Sequence, residues 1–98
     1  MDIGKAIKTI RKEKGLSQEQ LGAKIGLSDN AISQIETGAT FPQKDNIKKI
    51  CEALEIPVGY LLFFSISDED LPEDGRAIFN ALQQPIKQVL IEDIKARS

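Results

Sequence analysis

Apolar residues along this chain recur at helical rather than strand intervals. In residues 2–14, Ile3, Ala6, Ile7 and Ile10 fall three and four apart, which lays one apolar stripe along a helix. Gly15 stops that helix and Leu16 turns inward. Residues 17–38, SQEQLGAKIGLSDNAISQIETG, then read as two short helices joined by a tight turn. Ser17 suits the cap of the first, accepting from backbone N–H groups that have no helical partner. Gln20, three residues on, completes a capping-box pattern. Leu21 and Ile25 share a face, and Gly26 suits the left-handed position that ends a helix. Leu27 points inward from the turn, and Ser28 opens the next helix. There Ile32 and Ile35 share a face and Gly38 closes it. Helices this short do not persist alone in water, so other segments must hold them.

The rest of the chain supplies those segments. Residues 39–43 form a loop in which Phe41 is held extended by Pro42. A fourth helix over 43–54 buries Ile47, Ile50, Cys51 and Leu54, and Ile56-Pro57 breaks it. Pro57 fits the first position of a fifth helix carrying Val58, Tyr60, Leu61, Leu62 and Phe64. Residues 65–74, SISDEDLPED, are polar and acidic and read as a linker. Beyond it Ala77, Ile78, Ala81 and Leu82 form a stripe, with Phe79 to one side. Pro85 is expected to kink or restart the helix. Ile86, Val89, Leu90 and Ile94 then resume the stripe, which Ile91 widens. The expected fold is all-α, with residues 1–66 as one domain and 67–98 as linker and helical extension. The extension either folds back on the first five helices or pairs with its copy in a second subunit. A marginal helix this apolar needs a partner. Ile78, Leu82, Ile86, Val89, Leu90 and Ile94 are therefore the expected dimerisation residues.

Composition narrows the functional classes. The 98 residues contain no histidine and one cysteine, so the usual zinc spacings are impossible and no internal disulfide can form. Cys51 reads as a small buried hydrophobe. No glycine-rich phosphate loop is visible, and Asp68, Glu69 and Asp70 sit in the polar linker as a solvated run, so no enzyme and no cofactor is expected. No apolar run could cross a bilayer, and residues 1–10 are amphipathic without a signal-peptide core; a cytoplasmic location is expected. The formal net charge is −2, but its distribution is uneven. Lys5, Lys8, Arg11, Lys12 and Lys14 face only Asp2 and Glu13 at the start, whereas the acid gathers after residue 67. Between the apolar positions of the third helix stand Asp29, Asn30, Ser33, Gln34 and Thr37. These are short hydrogen-bonding side chains, more than solubility requires.

Residues 17–38 resemble the helix-turn-helix of the phage repressor/Cro, or XRE, family. The resemblance covers about residues 1–64. Gln18, Leu21, Ile25, Gly26, Leu27, Ser28, Ile32, Ile35, Glu36 and Gly38 match the family pattern by type. Gly22 departs from it, standing where the family has alanine, at a helix-propensity cost of about 0.5–1 kcal/mol. The resemblance implies a five-helix, lambda repressor-like DNA-binding domain with a C-terminal helical extension. It further implies a sequence-specific transcriptional regulator, a repressor in the first reading, whose third helix (28–37) enters the major groove. A homodimer would bind an inverted repeat with half-site centres about one helical turn, ~34 Å, apart.

By the same resemblance Asp29, Asn30, Ser33 and Gln34 contact bases. Gln18, Ser28, Thr40, Lys44 and Asn46 contact phosphates. Arg11 and Glu36 form a structural ion pair between the first and third helices. Asp29 serves equally well as a helix-capping residue. Asn and Gln suit adenine, and no arginine stands on the exposed face of the third helix, so an A·T-leaning half-site is expected. The alternative is a protein-interaction module of antitoxin type, in which the tail is an arm, disordered until it binds a partner protein.

Overall fold

The structure is a computed structural model that describes residues 1–97. Six α-helices follow in order: α1 (Ile3–Glu13), α2 (Gln18–Ile25), α3 (Asp29–Thr37), α4 (Lys44–Leu54), α5 (Val58–Ser65) and α6 (Glu73–Ala96). A 3₁₀ turn, Asp68–Asp70, precedes α6, and no strand occurs among the described residues. No helix among them is long and apolar enough to cross a membrane.

Local chemistry sets the helix ends. The Asp2 carboxylate accepts from the Lys5 N–H at 2.9 Å and starts α1. Ser17 and Gln20 form a reciprocal capping box at α2. Ser28 accepts from the Ala31 N–H at 3.1 Å and starts α3. Gly26 and Gly38 end α2 and α3 with φ of 76° and 86°, values that side-chain-bearing residues avoid. Pro57 is the residue before α5 rather than its first: its ψ of 147° is extended, and Val58 begins the helix.

The core is aliphatic and draws on every helix. Ile3, Ala6, Ile7 and Ile10 of α1 meet Leu21, Ile32, Ile35, Ile50, Cys51, Leu54, Ile56 and Leu61. Burial pushes the Cys51 thiol pKa up, as expected of a packing residue. Two glycines permit close backbone approach. A Cβ at Gly4 would overlap the Ile35 carbonyl oxygen of α3. A Cβ at Gly22 would overlap the Leu27 carbonyl oxygen in the turn between α2 and α3. Gly22 is thus required by the turn packed upon it, not merely a tolerated loss of helix propensity.

The acidic stretch after α5 is folded. Ser67 and Asp70 cap each other across the 3₁₀ turn. The Met1 amino group pairs with the Asp70 carboxylate at 2.6 Å and, with the Ser67 N–H, holds its pKa below the usual carboxylate range. The Arg76 side chain donates to the Asp68 carbonyl at 3.0 Å.

From Glu73 the chain runs in one unbroken 24-residue helix. Pro85 neither restarts nor ends it. Its missing N–H leaves the Ala81 carbonyl without a helical partner, but both residues are exposed, so water can satisfy that oxygen.

The far end of α6 folds back on the first five helices. Ile94 is fully buried in the common core. Around it the Tyr60 hydroxyl donates to the Asp93 carboxylate at 2.6 Å. Arg97 also donates to Asp93, at 2.7 Å. These two contacts, Tyr60 first, hold the Asp93 pKa below the ordinary range. Lys14 Nζ donates to the Ile94 carbonyl at 3.0 Å and also to that of Arg97, tying α1 to the end of α6. Ile94 was expected on a dimerisation face and is instead a core residue of its own subunit. Leu90 and Ile91 are half-buried. The remaining stripe is bare: Ile78, Leu82, Ile86 and Val89 are 65%, 52%, 40% and 63% exposed.

Replacing Ile94 by alanine removes the one side chain that α6 contributes to the buried core. The expected cost is about 2–5 kcal/mol, the range for deleting a buried aliphatic side chain. Urea unfolding should show the loss, and amide exchange should locate it in the last turns of α6.

Candidate nucleic-acid interface

One face of α3 is nailed to the protein and the other is open. Ile32 and Ile35 are buried, and the close approach of α1 at Gly4 sets how deeply the end of α3 sits. The opposite face presents Asp29, Asn30 and Gln34 to solvent, with Ser33 half-buried beside them. Positions offset by one, four and five on a helix lie on one side of it. The four candidate readout residues therefore share a surface.

The angle of that surface is fixed by a buried cluster around Glu36. Arg11 of α1 meets the Glu36 carboxylate with two N–H groups, Nε to Oε2 at 2.6 Å and Nη2 to Oε1 at 2.9 Å. Both side chains are almost fully buried. The third branch of Arg11, Nη1, donates to the Leu16 carbonyl at 2.7 Å. The Leu16 N–H in turn donates to the Arg11 carbonyl at 3.1 Å. Gln18 Nε2 adds a further bond to Glu36 Oε1 at 3.1 Å. One carboxylate thus joins α1, the start of α2 and the end of α3. No buried side-chain polar atom lacks a partner among the described residues, which is the condition under which a buried ion pair is tolerated.

The candidate phosphate residues differ in what their side chains already bond. Gln18 is half-buried at the first position of α2, and its bond to Glu36 leaves one amide N–H and the amide oxygen uncommitted. Ser28 uses its hydroxyl oxygen as the cap of α3. Lys44 opens α4 and is exposed, and Asn46 is half-buried behind it. Asp29 accepts from the Asn30 N–H at 2.8 Å, so its carboxylate is engaged with the helix start while still facing solvent. Thr40 is exposed and lies against Gln34: its N–H donates to the Gln34 carbonyl at 3.1 Å and its hydroxyl to Gln34 Oε1 at 3.3 Å. The Asn30 side chain makes no hydrogen bond among the described residues, so its amide is free to meet a ligand.

Two contributors are not legible as site residues in the sequence reading above, Gly4 and the Leu16 carbonyl. Gly4 carried a signal, since a glycine inside an apolar helical stripe marks close approach. The Leu16 carbonyl carries none, because its role depends on where the turn places it; Thr40 is expected at a phosphate and is bonded to Gln34 instead.

The helix-turn-helix family pattern matches residues 7–61. The immunity repressor protein of Bacillus phage phi105 is 30% identical over 95 residues, covering 97% of this chain and 63% of its own length. The HTH-type transcriptional repressor RghR of Bacillus subtilis is 31% identical over 94 residues, 95% of this chain and 69% of its own. Repressor protein C2 of Salmonella phage P22 is 32% identical over 74 residues, 76% of this chain and 34% of its own. The chain thus spans only part of the relatives it matches. No solved structure matches it.

Replacing Glu36 by alanine leaves the Arg11 guanidinium buried and without its carboxylate. Breaking one partner of such a pair costs about 3–5 kcal/mol. Thermal unfolding of the variant should show a large drop in Tm. An unchanged Tm would mean that α3 is seated by its apolar face alone.

Proposed function

The chain belongs to the helix-turn-helix family, and on that footing we propose that it is a sequence-specific DNA-binding repressor that reads an inverted-repeat operator through α3 as a homodimer. The observation that carries this reading is the open polar face of α3, backed by the buried Arg11–Glu36 pair. An exposed helix whose outward residues are Asp29, Asn30, Ser33 and Gln34, and whose inward side is locked at three points, is built to present side chains at a fixed angle. That is the requirement for reading base edges in a major groove. The repressors named above support the same reading.

In this reading the contacts divide by task. The start of α2, with the free N–H of Gln18, meets a phosphate oxygen, aided by the positive end of the helix. Lys44 adds a charge contact at the start of α4. Asn30 and Gln34 contact bases. Asp29 limits the approach of phosphate and fits an exocyclic amino donor such as that of cytosine. Affinity falls as salt rises, because each neutralised phosphate releases counterions. Repression follows from occupancy of the operator.

Residues 1–66 supply the DNA-binding part. The bare stripe of α6 supplies the pairing. Four large apolar side chains on one face of one helix make a patch that soluble monomers rarely leave open. A folded and docked α6 favours a pairing helix over an arm that orders only on a partner protein.

Two measurements test the proposal. Duplexes selected from a random library at near-physiological salt should converge on an inverted repeat, and the Asn30→Ala/Gln34→Ala variant should lose that enrichment. Each single change should weaken binding by about 1–3 kcal/mol and relax preference at its own base pair; equal loss on all sequences would contradict the readout role. Light scattering after size exclusion should give a dimer for the wild type and a monomer for Leu82→Asp/Val89→Asp. A wild type that stays monomeric at micromolar concentration would remove the pairing helix from this account.

A further inference from the structure

We propose that α6 pairs with the α6 of a second copy end for end, antiparallel, with the twofold axis passing beside Gln84. The inference rests on the pairing role proposed above for the bare stripe, and adds its direction and register. It starts from spacing. Ile78 and Val89 lie six and five positions from Gln84, and Leu82 and Ile86 lie two positions from it on either side. All four are exposed. A stripe that mirrors itself about its own midpoint meets a copy of itself when that copy is reversed. Ile78 then faces Val89 of the partner subunit, and Leu82 faces Ile86 of the partner subunit. Such self-complementary contact is what a twofold dimer requires.

The flanks of the stripe fix the direction. With 3.6 residues per helical turn, Asp74, Ala81, Gln84, Gln88 and Lys95 fall to one side of it, and all are exposed. Phe79 and Leu90 fall to the other side and are half-buried; the Phe79 ring centroid lies 6.3 Å from that of Phe63 in α5. A twofold axis across the helices brings like flanks together, polar on polar and apolar on apolar. A twofold axis along them would set each polar flank against the partner's apolar one. In the reversed register Asp74 comes level with Lys95 of the partner subunit, an opposite charge. Lys95 lies 3.4 Å from Glu13 with its side chain 60% exposed, and its ammonium has donors to spare. Reversal also sets the positive start of each helix beside the negative end of the other. The Ala81 carbonyl, left without a helical partner by Pro85, lies near the axis. Gln84 and Gln88 of the partner subunit come within a turn of it on the same flank, so an amide N–H can serve that oxygen when the stripe is covered.

The experiment traps the pair with disulfides in the full chain. Cys51 is buried, so the wild type is the blank. In the reversed pair, positions 78 and 89 meet, whereas each lies about 15–18 Å along the axis from its own copy at 1.5 Å per residue. A disulfide spans Cα atoms no more than about 7 Å apart. Ile78→Cys and a tagged Val89→Cys are each checked for fold by circular dichroism and for dimers by light scattering, mixed under reduction, and then oxidised. The mixture should trap the tagged-to-untagged dimer about tenfold faster than either variant traps a dimer with itself, because only the mixed pair brings two thiols within disulfide reach. Self-trapping of each variant, with no faster mixed product, would make the pair parallel; that overturns the proposal and leaves the pairing function standing. Dimers that trap in no combination would place the contact off the stripe and overturn it as well. A wild type that stays monomeric overturns the pairing and the proposal together.

Discussion

The Arg11–Glu36 pair is the constraint on which the rest of the structure depends. α3 has only two fully apolar contacts with the core, Ile32 and Ile35, and a helix of nine residues seated by two side chains could roll about its axis. The bidentate geometry of guanidinium and carboxylate removes that freedom, because two parallel N–H···O bonds fix orientation as well as distance. The same guanidinium holds the Leu16 carbonyl, so the turn into α2 is set by the group that sets α3. Burying two charges is expensive, and a hydrophobic pair of similar volume could stabilise the fold as well or better. What such a pair could not do is define an angle. The buried charge trades stability for direction, which suits a helix whose outer face must meet a partner in one register.

Close backbone approach works to the same end. Gly4 lets the α3 carbonyls at Ile35 and Glu36 reach α1, so the end of α3 that holds Glu36 is also the end pressed nearest to Arg11. Gly22 does the equivalent for the turn between α2 and α3. The helix-turn-helix is therefore rigid through short-range geometry at three points, even though its two helices are among the shortest in the chain.

Much of this was legible in the sequence. Periodicity and capping residues give the first five helices, because Ser17, Gly26, Ser28 and Gly38 act within a few residues of themselves. Arg11 and Glu36 are legible only through family likeness, not through any local signal, since no periodicity joins residues 25 apart. The tail is less legible. The burial of Ile94 and the folded acidic turn depend on long-range partners, the common core and the Met1 amino group, and the unbroken helix through Pro85 depends on the exposure of Ala81 to solvent. Within the candidate site, residue types and the shared face were readable, but the hydrogen-bonding state of each amide was not. Gln18 and Gln34 look alike in the sequence; only the fold gives one to Glu36 and the other to Thr40.

The burial of Ile94 has an evolutionary consequence. A tail joined to its head by a loose tether could be exchanged among related proteins as a cassette, giving new pairing preferences to an existing DNA-binding unit. Here the tail's last turns complete the common core, and Lys14 and Tyr60 are matched to them through the Ile94 carbonyl and the Asp93 carboxylate. A foreign tail would arrive without the Ile94 side chain and leave a hole in the common core. Inheritance of the two parts is therefore coupled. Recombination at the junction is penalised, whereas Ile78, Leu82, Ile86 and Val89, exposed along the outward stripe of α6, can change without disturbing the buried interior.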